Sequence, residues 1–163
     1  MHRLEPLNTE EERAWRDLSR VIIVTPRVMD ADLQREANIS LSTYTVLVHL
    51  SEAEHLRVSE LADLAYLSGS RVTRLVDELA SAGLVVKSRN VEDSRGVDVR
   101  ISDAGLARLK DAYPVHLASV RARVMDHVNP KSLPSFRRAL AAIVVGLEET
   151  PPPVRPAPSS GRR

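Results

Sequence analysis

Residues 68–79 read SGSRVTRLVDEL, and the way this stretch divides into faces decides the fold. At about 3.6 residues per turn, Val72, Leu75, Val76 and Leu79 fall on one side of a helix. Ser70, Thr73, Arg74 and Asp77 fall on the other, with Arg71 on the flank. One side packs, and the other is offered outward. Short hydroxyls beside a guanidinium can donate to phosphate oxygens and base edges with no bulky apolar group in the way. In isolation the same face fits the solvated side of an ordinary amphipathic helix, so the neighbouring segments have to decide between the two.

Upstream, Ser59 is placed to cap a short helix with Leu61, Ala62, Leu64 and Ala65 turned inward. Tyr66-Leu67-Ser68 is long enough only to turn the chain, so the two helices must cross steeply. Downstream, Gly83 is placed for the left-handed residue that ends a helix. The apolar period then changes to two. Leu84 to Arg89 and Val97 to Ile101 read as strands, the second with Val97, Val99 and Ile101 alternating against Asp98 and Arg100. Asn90 to Gly96 joins them as a charged hairpin tip.

The flanks are helical. Thr9 followed by Glu12 forms a capping box, and Trp15, Leu18, Ile22 and Val28 or Met29 run as a stripe toward Leu33. Pro26 lacks a backbone donor, which predicts a kink or break near Val24 to Pro26. Ala37 to Leu41 reads as a connection, Ser42 as the cap of a helix Thr43–Leu50 with Tyr44, Leu47 and Val48 on one face, and Ser51 to Leu56 as a polar loop. After Ser102, the residues Leu106, Leu109, Tyr113, Leu117, Val120, Val124 and His127 are spaced 3, 4, 4, 3, 4 and 3. That is a heptad-like stripe on a helix of about 25 residues, or roughly 37 Å, which Pro114 should bend. A last helix beginning at Asn129-Pro130 or Ser132 to Pro134 carries Leu133, Phe136, Leu140, Ile143, Val144 and Leu147. Pro151 to Arg163, with five Pro and three Arg, reads as a disordered basic tail.

Composition narrows the function classes. The 163 residues suffice for one domain with an added dimerising element. With 3% aromatic residues the core must be aliphatic, and a stacking platform for single strands is disfavoured. A net charge of +1 means that any nucleic-acid contact comes from local clustering. With no cysteine there is no disulfide, thiolate nucleophile or thiol switch. No run reaches membrane-span length and the N-terminus lacks a signal-like apolar core, so a cytoplasmic protein without membrane contact is expected.

Helix, tight turn, helix with an outward Ser/Thr/Arg face, then a hairpin with a basic tip is the order of a winged helix-turn-helix. Ser59-Glu60-Leu61-Ala62, the run Ser70 to Val76, Leu79 with Gly83-Leu84-Val85, and Asp93-Ser94-Arg95 followed by Val99, Ile101, Ser102 and Gly105 resemble the MarR family of bacterial transcriptional regulators. The resemblance covers about Thr9 to Leu147. It implies a mainly α fold with a small β-hairpin wing, and N- and C-terminal dimerisation helices. It further implies that Ser68, Ser70, Arg71, Thr73 and Arg74 meet bases and phosphates in a major groove, while Arg95 reaches a minor groove with Asp93 holding the wing. Ser94 stands where relatives often carry Arg, so this wing has one positive charge fewer. Lys87, Arg89 and Arg100 read as phosphate-facing or solvated strand residues.

The expected organisation is a winged lobe at 37–102, dimerisation helices at 1–36 and 103–149, and the tail at 150–163. One winged domain cannot bury the long helical stripes alone, so a homodimer is expected, its recognition helices about 34 Å apart on a pseudo-palindromic operator of double-stranded DNA. The resemblance also implies a repressor released by a small anionic aromatic effector, for which Trp15, Tyr44, His49 and His116 supply rings and polar tips. No cofactor is implied. His116 and His127 lie about 16 Å apart along their helix, too far to share a metal. Two other classes fit the residues less well. An enzyme would draw on His49, Glu52, Glu54 and His55, which lack a nucleophile, a Gly-rich loop or metal spacing. A winged helix that meets only protein would leave Arg71, Arg74 and Arg95 without a task.

Overall fold

In the computed structural model, residues 5–89 and 96–149 are described. The elements are α1 (Thr9–Ala37), α2 (Leu41–Ser51), β1 (Leu56–Arg57), α3 (Val58–Leu64), α4 (Gly69–Ser81), β2 (Val85–Arg89), β3 (Val97–Ile101), α5 (Asp103–Arg123), a 3-10 turn (Met125–His127) and α6 (Leu133–Glu149). Residues 1–123 and 124–163 form two separate compact units.

In the first unit α1 starts on Asn8 rather than Thr9. The Asn8 Oδ1 accepts from the backbone N–H groups of Glu10 and Glu11 at 2.9 and 3.0 Å, and the Glu11 carboxylate accepts from the Asn8 N–H at 2.8 Å. The break expected near Pro26 does not occur, and the helix is continuous through it. The carbonyl deprived of a donor belongs to Ile22, which is 58% exposed, so water can serve it. Farther on, Asp32 and Leu33 are buried and hold the helix down. Asn38, with φ of 48°, ends α1 in the left-handed region.

The second helix starts earlier than expected, on Ser40 rather than Ser42. The Ser40 Oγ accepts from Thr43 N–H at 3.0 Å, and the Asp30 carboxylate accepts from Leu41 N–H at 2.7 Å. Nor does Ser59 cap α3: it lies inside the helix, where Glu60 reaches back to the Arg57 N–H at 2.8 Å. The end of the expected polar loop is a strand. β1 pairs antiparallel with β3, Leu56 opposite Val99, and makes β3 the centre of a three-stranded sheet ordered β1-β3-β2. A central strand has little solvent on its flanks, and Asp98, expected to face outward, is only 9% exposed.

The core is aliphatic and joins every helix of this unit: Leu33, Val46, Leu47, Leu50, Leu61, Val72, Val76, Val99 and Ala112 are essentially inaccessible. The sharp exit from α4 uses Gly83 at φ 72°. Gly105 is required by closeness instead, since a Cβ there would lie 2.1 Å from the Leu84 carbonyl oxygen. The fifth helix is also continuous through Pro114 but stops at Arg123, short of the expected length. It buries its small residues Gly105, Ala112 and Ser119, one per seven positions, and leaves Leu106, Tyr113 and Leu117 between 42% and 53% exposed. The guanidinium of Arg108 donates to the Ala37 and Asn38 carbonyls and so clasps the end of α1.

The second unit holds α6, which buries none of its residues. Its apolar stripe, Leu133, Phe136, Leu140, Ile143, Val144 and Leu147, is between 36% and 66% exposed. The residues expected to form the wing tip and the tail, Asn90 to Arg95 and 150–163, lie outside the described residues.

Candidate nucleic-acid interface

Leu61 and Ala62 anchor α3, and Val72, Val76 and Leu79 anchor α4, all between 0% and 7% exposed. With that face fixed, Ser68, Ser70, Arg71, Thr73, Arg74, Asp77 and Glu78 are all exposed. Ser68 is the N-cap of α4 by backbone, yet its hydroxyl makes no capping bond and lies 3.4 Å from the Ser70 Oγ. The Thr73 hydroxyl donates to the Gly69 carbonyl at 2.8 Å, which keeps its oxygen free to accept. Arg71 reaches across to α2 and donates to the Ser42 Oγ at 3.0 Å. A hollow of about 210 Å³ beside it is lined by Ser40, Ser42, Arg71, Arg74, Leu75 and Glu78. Arg74 has no ion-pair partner among the described residues.

Asp77 would repel a polyanion from this face. It is paired with Lys87 of β2 at 2.5 Å, which offsets its charge and ties α4 to β2. Thus Lys87 is spoken for by the protein itself. Neither this pair nor the Arg71–Ser42 bond has a local sequence signature: Asp77 and Lys87 are ten residues apart across the turn from α4 to β2, and Arg71 and Ser42 are 29 apart. A second cavity of about 350 Å³ lies between α3, α4 and the sheet, with Arg57, Ser59, Thr73, Asp77 and Lys87 on its walls. Asp93 and Arg95 lie outside the described residues.

Of the four residues considered for a small ligand, the fold brings two together. Tyr44 of α2 and His116 of α5 stack with ring centroids 4.3 Å apart and planes at 26°. Tyr44 is 5% exposed, and burial, with Tyr113 nearby, raises its hydroxyl pKa above the usual value. Burial pushes the His116 imidazole the other way, toward the neutral form, and its Nδ1 is buried without a hydrogen-bond partner among the described residues. Trp15, 58% exposed on α1, and His49 do not join that stack. The junction between α1 and α5 has its own polar centre. Asp32 accepts from Ser119 at 2.8 Å, from Arg35 at 2.8 Å and from Arg123 at 3.2 Å. These bonds, led by Arg35, hold its carboxyl at a pKa of about 2 against an ordinary 3.8.

The sequence pattern of the MarR family matches residues 37–96, from the last residue of α1 to the residue before β3. Among curated proteins, the HTH-type transcriptional repressor YetL of Bacillus subtilis is 29% identical over 104 residues, 63% of this chain and 62% of that protein, so the match spans less than two thirds of its length. Among solved structures, Sco3205, a MarR family transcriptional regulator from Streptomyces coelicolor crystallised in complex with DNA, superposes with a TM-score of 0.83 at 29% identity, covering 91% of this chain and 94% of its own. AbsC, a MarR family transcriptional regulator from the same organism, gives a TM-score of 0.81 at 30% identity over 90% of this chain and 100% of its own. With that identity sustained over the whole of a family member, and the helix-turn-helix and its sheet in place, the chain belongs to the MarR family of transcriptional regulators.

Proposed function

We propose that this chain works in the cytoplasm as a twofold dimer that reads a pseudo-palindromic stretch of double-stranded DNA and represses transcription until a small aromatic anion releases it. The observation that carries this reading is the division of α4. Val72, Val76 and Leu79 are buried beneath an exposed row of Ser68, Ser70, Arg71, Thr73 and Arg74. A helix so divided enters a major groove polar side first, with Arg74 toward base edges and the hydroxyls and Arg71 toward phosphates. Arg95 then follows the wing into the neighbouring minor groove, with Asp93 bracing it. That Sco3205 was crystallised with DNA supports the same docking.

Residues 37–102 serve as the DNA-binding lobe, and 1–36 with 103–149 as the dimerisation helices. Supporting this are the exposed apolar residues of α1, Trp15 and Val21 to Val24, and the stripe of α6. The effector docks against the Tyr44–His116 stack, where the unpartnered Nδ1 offers it a hydrogen bond. The test is binding of the purified protein to fragments flanking its own gene, at two salt concentrations with nonspecific competitor. Competitor-resistant protection of a pseudo-palindrome is expected. Weak binding that vanishes with salt at every fragment would turn the reading toward a winged helix that meets protein.

A further inference from the structure

Tyr66 stands in the turn between α3 and α4 with φ of 52°. Its Cβ crowds the following carbonyl in that left-handed backbone, a conformation that Gly and Asn tolerate and aromatic residues avoid. Among the described residues, the other left-handed positions are Asn38 and Gly83, so the chain uses the tolerant residues elsewhere and an aromatic only here. Packing within the chain does not offset the strain, because the residue is 89% exposed. The turn is held by its backbone instead: Tyr66 N–H donates to the Asp63 carbonyl at 3.1 Å and Leu67 N–H to the Ala62 carbonyl at 3.0 Å. A glycine would make the same turn with less strain. The ring is therefore kept for something outside the chain.

Its place indicates what. Tyr66 is two residues before Ser68, within about 7 Å along the chain of the start of α4. The exposed side chains nearest to it along the start of α4, Ser68, Ser70, Arg71, Thr73 and Arg74, are hydroxyls and guanidinium groups suited to a polyanion, with the carboxylates Asp77 and Glu78 following a turn later. We infer that Tyr66 is a DNA-backbone contact, its phenolic O–H donating to a phosphate oxygen on the strand flanking the groove that receives α4. The inference rests on the DNA-binding reading above.

The experiment compares the full chain with its Tyr66→Phe and Tyr66→Gly variants on a DNA fragment that the unmodified protein protects, with thermal melting alongside. Tyr66→Phe keeps the ring and the strained backbone and removes only the hydroxyl. It should bind about tenfold more weakly, with an unchanged salt slope, because a neutral donor releases no counterion. Tyr66→Gly should lose at least as much affinity while its Tm rises by about 2–4 °C. Phenylalanine binding as tightly as tyrosine overturns the inference, and so does an affinity loss accompanied by a falling Tm, which would mark a structural role. An unmodified protein that protects no fragment instead removes the DNA-binding reading itself, so the two failures are told apart in one experiment.

Discussion

Two amphipathic helices of similar length, α4 and α6, meet opposite fates. The apolar side of α4 is closed over by its own chain, and what remains outside is polar and charged, with Arg71 and Arg74 toward its start and Asp77 and Glu78 beyond them. The apolar side of α6 is left open: Leu140 is 38% exposed and Ile143 44%. A helix face that the chain leaves open states the chemistry of what should cover it. For α4 that is a charged, hydrogen-bonding partner, and for α6 it is another apolar surface, which a second copy would supply in the proposed dimer.

The comparison breaks most visibly at α6. Ile143→Asp should convert the proposed dimer to a monomer at micromolar concentration in sedimentation and cut DNA affinity about a hundredfold or more, since a carboxylate cannot be buried there unpaired. A variant that stays dimeric would remove α6 from the interface. Leu79→Ala on α4 should cost about 2–5 kcal/mol in denaturant unfolding. Leu140→Ala should leave protomer folding alone and appear as a Tm that falls on dilution. Equal losses in both would erase the distinction between the two helices. On the outer face of α4, Arg74→Ala should weaken DNA binding by about 1–3 kcal/mol and relax base choice at one position, with melting little changed. Arg95→Ala should weaken it with a shallower salt slope. Unchanged affinity in both would refute the proposed docking.

The smallest effect concerns Asp32, whose burial resembles that of the inner face of α4 although its chemistry resembles the outer one. Its carboxyl titrates at about 2 in the fold against an ordinary 3.8. The folded state therefore favours the ionised form, and the resulting stability is present above about pH 4 and lost as pH falls toward about 2. Asp32→Asn should melt below the parent protein at neutral pH and converge with it across that window. Parallel curves through the window would refute the assignment.

Both faces of α4 were legible in the sequence because each of its apolar neighbours lies three, four or seven residues away, a distance that periodicity reports. Where legibility failed, the deciding partner was remote or the pattern degenerate. Asn8-x-x-Glu11 and Thr9-x-x-Glu12 are the same box one residue apart, and only the backbone chose. Nothing local marks Leu56–Arg57 as a strand, because its pairing with Val99 and Asp98 spans more than forty residues. The heptad stripe of α5 was correctly seen as apolar, but the side packed within the chain is the small-residue one, Gly105, Ala112 and Ser119, which hydropathy counting overlooks. At the candidate site, periodicity places Ser70, Arg71, Thr73, Arg74 and Asp77 outward but does not mark Glu78, and the Lys87–Asp77 pair and the backbone of Tyr66 require coordinates.

The clasp made by Arg108 bears on how far this family's parts can be exchanged. A chimera that moved residues 37–102 into a relative would carry the two-residue corner at Ala37 and Asn38 but leave behind the guanidinium that holds both carbonyls. Grafted that way, the corner keeps its bend and loses its latch unless the recipient offers an arginine at the same turn of its own long helix. The transplantable piece is therefore discontinuous, a lobe together with one side chain from beyond its border.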